Sequence, residues 1–275
     1  MATLKNSVGK YGKNNSADVV AVQTLLNKFI TAKVLEIDPL VVDGDCGPLT
    51  KSAIDLFQRL KFGWLHPDGK VDAVGQTIDA LNGPTWQSMK GDPLDSVRLM
   101  IVDVLKSPHL SAIDFTLEGR RYAQSDFTAI SDFVRDRKIN LDWDTTKGDS
   151  AAYFHIPNRL ELGFSNAGTT LQKSVVVHES THAICDKRAR PMSVEEGEAV
   201  GHIAQCLYYR KATGRHIYEI TYPPTADVLR VAGNIAIDIM KGDGVKEAPL
   251  KELYEKIDKV PTTTKGAYFF YDGIA

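Results

Sequence analysis

Hydrophobic residues recur at helical spacing in the first third of the chain. One series is Val19, Val22, Leu25, Leu26 and Phe29, a second is Ala53, Ile54, Phe57 and Leu60, and a short third is Ile78 and Leu81. Apolar residues three and four positions apart share one face of an α-helix, so each series predicts an amphipathic helix. Residues 1–82 are therefore predicted to form a small three-helix domain.

The pattern becomes mixed further along the chain. Residues 83–95 are rich in turn formers and predict a linker. Helical spacing covers residues 97–105 and 126–137, and residues 139–143 alternate as a half-buried strand would. The further predicted segments are two strands at 153–156 and 159–164, which form a hairpin or two edge strands, and three helices at 193–213, 226–241 and 250–259. The predicted fold class is α+β, with residues 96–275 forming a second domain around a small sheet.

A five-residue motif lies between the predicted sheet and the last helices. It reads His178-Glu179-Ser180-Thr181-His182 and follows three valines. Positions i and i+4 share a helix face, so His178 and His182 can bind one metal ion. Glu179 lies beside them and can accept a proton from water. H-E-x-x-H on an apolar helix is typical of zinc peptidases, and it predicts Zn²⁺ as cofactor with Glu179 as the catalytic base.

A catalytic zinc site usually takes three protein ligands, so a further residue is needed. No histidine follows at the metzincin spacing, where this chain has Arg188. The candidate carboxylates are Asp186, Glu195, Glu196 and Glu198. Ser193 and Glu196 form a predicted capping box, which already uses Glu196. Glu195 lies in the first helical turn, where its negative charge suits the helix dipole whether or not it binds metal.

Glu198 lies one turn deeper and shares a helix face with Gly201 and His202. A small residue next to a ligand lets two helices approach closely. The spacing Glu198-x-x-Gly201 resembles that of gluzincin-like peptidases, and the resemblance implies Glu198 as the third ligand, with Glu195 and Glu196 as alternatives. Those families often have Asp where this chain has His202, which leaves open the group that orients the first histidine. The candidates for an oxyanion donor, also left open, are His202, His216, Tyr218 and Tyr222.

A turn phrase occurs twice in the N-terminal unit. Asp43-Gly44 precedes Gly47-Pro48-Leu49-Thr50, and Asp68-Gly69 precedes Gly75-Gln76-Thr77, each at the start of a predicted helix. Together with Phe57-Gln58, these phrases resemble the peptidoglycan-binding domain 1 family over residues 8–82. The chain departs from that family in residues 30–40, which are an insertion, and in the spacing of the second turn. The resemblance implies binding to peptidoglycan or its stem peptides, although modules of this shape also serve as docking or structural units.

Composition narrows the class of protein. The chain has 33 Lys and Arg against 35 Asp and Glu, a net charge of −2, which predicts no nucleic-acid partner. Its first residues lack the apolar region of a signal peptide, and no apolar run is long enough to insert into a membrane. Three cysteines do not suggest a disulfide framework. We therefore expect synthesis in the cytoplasm.

These features together predict a zinc-dependent peptidase or amidase that cuts an amide bond in bacterial peptidoglycan. Without a signal peptide, we expect a non-classical export route to the periplasm or cell wall, as for a secreted antibacterial effector or a phage lysis enzyme. A secretion apparatus and an immunity protein would then be its protein partners. Two alternatives stay open, namely a zinc protease acting on proteins near the wall and a non-catalytic wall-binding protein.

Overall fold

The computed structural model describes residues 1–35, 37–64, 66–85, 94–189, 191–221, 225–260, 268–269, 271 and 273–274. The chain is a mixed helix and sheet structure, as the pattern predicts. The helices are α1 (Ser16–Thr31), α2 (Pro48–Phe62), α3 (Gln76–Asn82), α4 (Asp95–Leu105), α5 (Gln124–Arg135), α6 (Thr170–Lys187), α7 (Val194–Thr213), α8 (Thr225–Lys241) and α9 (Glu247–Ile257). The strands are β1 (Val8–Gly9), β2 (Lys70–Val71), β3 (Asp114–Leu117), β4 (Arg120–Ala123), β5 (Asn140–Trp143), β6 (Ala151–Phe154), β7 (Arg159–Leu162), β8 (Met192–Ser193) and β9 (Tyr268–Phe269).

Most predicted elements are confirmed within a few residues of their predicted ends, but the hairpin of β3 and β4 is missed. Its strands pair antiparallel and bury Phe115, Leu117 and Tyr122. The turn between them places Glu118 at φ 47° and Gly119 at φ 71°. Two consecutive residues with positive φ make a tight hairpin turn, for which Asn-Gly or Asp-Gly is the usual sequence signal. This chain has Glu118 where Asn or Asp is usual, so the turn could not be predicted from the sequence.

Each repeat of the N-terminal turn phrase is held by a buried glutamine from the preceding helix. Gln23 Nε2 donates to Asp43 Oδ1 at 2.8 Å and to Thr50 Oγ1 at 3.2 Å, and Gly44 N–H donates to Gln23 Oε1 at 3.0 Å. The second repeat has the same bonds: Gln58 Nε2 donates to Asp68 Oδ1 at 2.6 Å and to Thr77 Oγ1 at 3.1 Å, and Gly69 N–H donates to Gln58 Oε1 at 3.0 Å. Buried amides persist only where they are hydrogen-bonded. The repeat seen in the sequence is therefore a repeated hydrogen-bonded turn.

Buried hydrophobic side chains of the described residues form two separate clusters, one between residues 4 and 81 and the other between residues 94 and 271. The first contains the apolar faces of α1 and α2, and the second surrounds α6 and α7. Most of the predicted linker, residues 86–93, lies outside the described residues, and Asp95 already begins α4.

The three-stranded sheet has the order β5-β7-β6, with β5 parallel and β6 antiparallel to β7. In the described part of the chain, β6 is an edge strand, and it packs against α6. The other edge strand, β5, faces the N-terminal unit, because Arg59 of α2 donates to the carbonyl of Leu141 at 2.6 Å. The sheet thus lies between the N-terminal unit and α6. Of the described helices, none has the length and hydrophobicity needed to cross a membrane.

Candidate metal centre

The H-E-x-x-H motif lies on α6, a helix that is buried over most of its length. It begins with a capping box in which the side chains of Thr169 and Gln172 satisfy each other's backbone N–H groups. Inside the helix, the hydroxyls of Ser180 and Thr181 donate to carbonyls of the preceding turn. These internal bonds satisfy the polar side chains, so the helix can pack between β6 and α7.

The helix that faces α6 is α7, and its start is the predicted capping box. Glu196 N–H donates to Ser193 Oγ, and Ser193 N–H donates to Glu196 Oε2, both at 3.1 Å. Glu196 is thus held at the N-terminus of α7, and Gly214 ends the helix at φ 72°.

His178, His182 and Glu198 converge between the two helices. His178 Nε2 lies 3.3 Å from Glu198 Oε2, and His182 Nε2 lies 3.5 Å from Glu198 Oε1. Among the described residues, these three form the one group of His, Cys, Asp or Glu side chains close enough to hold a metal ion. Asp186 is used elsewhere, since it accepts from Tyr153 Oη at 2.7 Å and from the backbone N–H of Gly273 at 3.1 Å.

This donor set fits Zn²⁺. Ligand atoms about 2.0 Å from a tetrahedral ion lie roughly 3.3 Å apart, which agrees with the two distances above. Burial lowers the pKa of His182 to about 4, so its imidazole is neutral near pH 7 and can ligate. Burial alone would raise the pKa of Glu198, but the hydrogen bond with His178 and the nearby histidine charges keep that pKa well below its usual range. The site thus offers two imidazoles and one carboxylate.

Glu179 is buried next to these three residues. Its Oε2 accepts a hydrogen bond from the backbone N–H of Tyr153 in β6, at 2.9 Å. Burial raises the pKa of the Glu179 carboxyl to about 7, although His178 opposes the shift. A carboxylate whose pKa lies near neutrality can accept a proton and release it again, which is what a general base needs. The bond to Tyr153 also fixes the carboxylate at the edge of the sheet.

Gly201 of α7 lies against the His178 ring, and Gln205 of the same helix lies beside the histidine cluster. A Cβ on Gly201 would come within 2.7 Å of His178 Cε1, so the ring lies directly on this glycine. Gln205 Oε1 lies 3.4 Å from His202 Nδ1, Gln205 Nε2 donates to Ser174 Oγ at 3.4 Å, and the amide also interacts with His178. Gln205 was not predicted from the sequence, although it lies seven positions after Glu198 and hence on the same helix face. Gln205 is therefore the candidate for the orienting group that the sequence left open.

His202 also belongs to this cluster. Its ring centroid lies 4.5 Å from that of His178, and its Nε2 lies 3.8 Å from Glu198 Oε2. Burial, reinforced by His178, lowers the pKa of His202 to about 3, which leaves a neutral ring near pH 7.

The other candidate oxyanion donors are placed differently. His216 and Tyr218 stack on each other with ring centroids 4.8 Å apart and lie against Gly233 of α8. Tyr222 lies outside the described residues. All three cysteines are buried and free, as expected.

Three histidines carry no motif in the sequence, and each lies against an aromatic ring. His109 contacts Tyr208, His155 contacts Tyr271, and His66 contacts Trp143, with centroid distances of 5.8, 5.9 and 6.0 Å.

The resemblance of residues 8–82 to wall-binding modules stays a prediction from their turn phrases. No protein-family model, curated protein or solved structure matches this chain.

Proposed function

We propose that this protein is a zinc-dependent peptidase or amidase that hydrolyses an amide bond in bacterial peptidoglycan. The observation that carries the proposal is the convergence of His178, His182 and Glu198 beside the buried carboxylate of Glu179. Two imidazoles, one carboxylate and an adjacent acid with a pKa near neutrality are the parts that zinc-dependent amide hydrolysis requires.

His178, His182 and Glu198 would hold the zinc ion. When bound, zinc activates water and polarises the scissile carbonyl. Glu179 accepts a proton from the attacking water and then delivers it to the leaving amine. Tyr153 keeps the Glu179 carboxylate in place through its backbone N–H. His202 contacts both His178 and Glu198. Of the candidates for the oxyanion donor, it is therefore the one placed beside the metal ligands.

The substrate would lie along the edge of β6 that does not pair with β7. Ser150 and Tyr153 show which way the backbone faces: the Ser150 carbonyl accepts from Gly163 after β7, whereas the Tyr153 N–H points to Glu179. Alternate residues of a strand direct their backbone groups to opposite edges, so residues 151 and 153 face away from β7. An extended chain can pair with such an edge and bring its amide bond to the metal.

The N-terminal three-helix unit would bind the cell wall and keep the zincin-like second unit near its substrate. The support is the repeated hydrogen-bonded turn of Gln23 and Gln58, which underlies the sequence resemblance, together with the separate hydrophobic core of this unit. We also propose that the protein acts in the periplasm or cell wall after non-classical export, as an antibacterial effector or phage lysis protein does.

Digestion of purified sacculi tests the proposal. The full chain with one equivalent of zinc is expected to release soluble muropeptides, and mass spectrometry of these would identify the bond cut. Glu179→Gln should lower the rate by about 10²–10⁴-fold while still binding zinc. Glu255→Gln on the exposed surface of α9 is the matched control and should digest normally. Intact sacculi with the zinc-loaded protein would contradict the proposal.

A zinc protease acting on proteins is the second candidate. The observation that favours it is the exposure of Phe154 and Ile156, 37% and 47%, at the end of the edge strand, where they could contact apolar side chains of a polypeptide. Cleavage of unfolded casein without muropeptide release would favour this function. A zinc content below about 0.2 per chain in carefully prepared protein would instead support a non-catalytic wall-binding role.

A further inference from the structure

A second polar site lies on the opposite side of the sheet from Glu179. The N-terminal unit meets the sheet at β5, where the buried guanidinium of Arg59 donates to Leu141. A cavity of about 360 Å³ opens at this junction. Lys10, Asp55 and His66 line it from the N-terminal unit, and Asp142, Trp143 and Arg159 line it from the sheet. The volume suits a small molecule.

Asp55 is the unusual member of the lining. Its side chain is only 9% exposed, and Oδ1 accepts no hydrogen bond from any described residue. A buried carboxylate oxygen without a donor costs free energy, because it has lost its water without gaining a hydrogen bond in exchange. Burial raises the pKa of Asp55 to about 6 against the attraction of Arg59 and Lys10. The Asp55 carboxylate would therefore be stabilised by a cationic hydrogen-bond donor placed next to Oδ1.

Two donors at the same cavity also lack acceptors. Trp143 Nε1 and Arg159 Nε are buried and make no hydrogen bond with the described residues. Arg159 uses its other nitrogens on carboxylates, with Nη2 at 3.3 Å from Glu161 and Nη1 at 3.8 Å from Asp142. The lining of the cavity thus has one acceptor and two donors without partners among the described residues, and Arg59 Nε at the same junction is a further buried donor without one.

The charge of the lining decides which ligand fits. Apart from His66, its ionisable groups are the cations Lys10 and Arg159 and the carboxylates Asp55, Asp142, Asp144 and Glu161, so two positive and four negative charges leave −2. A negative cavity disfavours phosphates and other anions. Within the described part of the chain, these carboxylates do not come close enough together to form a metal-binding group. The negative charge of the lining favours an organic cation over a neutral molecule.

We propose that this cavity binds a primary ammonium that has a carboxylate or carbonyl oxygen beside it, as at the free end of an amino acid. The ammonium would pair with Asp55, and the neighbouring oxygen would accept from Trp143 and Arg159. Such ends occur in peptide stems, so the site, on the basis of the function proposed above, would let the junction of the two units recognise a part of the wall that is distant from the cut bond. This site is separate from the metal centre and does not require zinc chemistry.

Calorimetric titration of the full-length protein tests the inference with three probes. Diaminopimelate has two ammonium groups next to carboxylates, pimelate has the same chain without the amines, and N-acetylglucosamine has only neutral polar groups. We expect diaminopimelate to bind and the other two probes not to bind. Binding should weaken at least about tenfold in Asp55→Asn, and also in Trp143→Phe, which removes the indole donor. The exposed Asp227→Asn of α8 is the matched control and should bind normally.

Absence of diaminopimelate binding up to about 10 mM would overturn the inference, and so would equal binding by Asp55→Asn. Binding of pimelate would show an anion site, and binding of N-acetylglucosamine alone would show a sugar site, and either result also overturns it. The titration measures binding without turnover. Diaminopimelate binding can therefore be absent while the protein still digests sacculi, and it can be present while digestion is absent. Circular dichroism of each variant verifies that the loss is not due to unfolding.

Discussion

The imidazole of His178 rests on Gly201, so closely that a methyl group there would lie 2.7 Å from Cε1 and 2.8 Å from Nε2. The contact joins the H-E-x-x-H helix to the helix that carries Glu198. Because glycine has no side chain, α6 and α7 can approach until His178 Nε2 and Glu198 Oε2 are 3.3 Å apart. The absence of a Cβ at Gly201 thus allows the geometry of the candidate metal centre.

Gly201→Ala is therefore expected to displace the His178 ring. We expect zinc affinity to fall by about 10–100-fold, as when other supporting residues of metal sites are changed. Overpacking should also cost about 1–3 kcal/mol of unfolding free energy. Competition with a fluorescent zinc chelator would measure the affinity.

Gly233→Ala in α8 is the control for this substitution. A Cβ there would have its nearest neighbour, Tyr218, at 3.5 Å, which is ordinary contact. Alanine also has the higher helix propensity, so this variant should bind zinc normally. Equal zinc affinity in both variants would show that the His178 ring has room to move.

The third ligand can be identified by comparing two glutamates of α7. Glu198→Gln should lower the zinc content well below one per chain, because the anionic ligand between His178 and His182 is lost. Glu196→Gln should keep zinc, since glutamine can maintain the capping box with Ser193. Elemental analysis of the two proteins after dialysis decides between them, and zinc loss in the Glu196 variant alone would refute the assignment.

Gln205 is expected to act as a positioning residue for His178. Gln205→Leu removes the polar contacts of the amide with His178 and His202 at nearly the same volume, so we expect weaker zinc binding by about 10–100-fold with the fold intact. Gln205→Glu should restore much of the affinity, because a carboxylate can also accept from the ring. Unchanged zinc affinity in the leucine variant would mean that Gly201 and α6 alone hold the ring.

Asp55 is expected to destabilise the protein at neutral pH. Its folded-state pKa of about 6 exceeds the usual 3.8, so between these values the folded state keeps a proton that the unfolded state has lost. Stability therefore falls as pH rises through this window, and the full penalty above it is at most about 3 kcal/mol. Asn cannot ionise, so Asp55→Asn should be more stable near pH 7.5 and equally stable near pH 3.5.

Denaturant unfolding of both proteins over this pH range measures the difference. The charged groups around Asp55 are Arg59, Lys10, Asp142 and Arg159, and they are common to both proteins, so their titration largely cancels in the comparison. A variant that is less stable than the parent near pH 7.5 would show that the Asp55 carboxylate is satisfied in the folded protein.

The sequence by itself determined the features that depend on neighbours along the chain. Helices α1, α2, α4 and α7 follow from apolar periodicity, because a 3.6-residue repeat exposes its pattern over a few turns. The capping box of Ser193 and Glu196 was predictable since both its partners lie within three residues. For the same reason, the four-residue spacing of His178 and His182 was enough to place both on one helix face.

Only the tertiary structure decided what depends on how helices and strands pack. It brought Glu198, rather than Asp186 or Glu196, to the two histidines, and it placed Gln205 beside His202 in the same cluster. It also put the unsatisfied carboxylate of Asp55 at the junction with β5. The contacts between different elements join residues about 20 to 100 positions apart, and their geometry depends on side-chain volumes along whole interfaces, which local patterns do not encode.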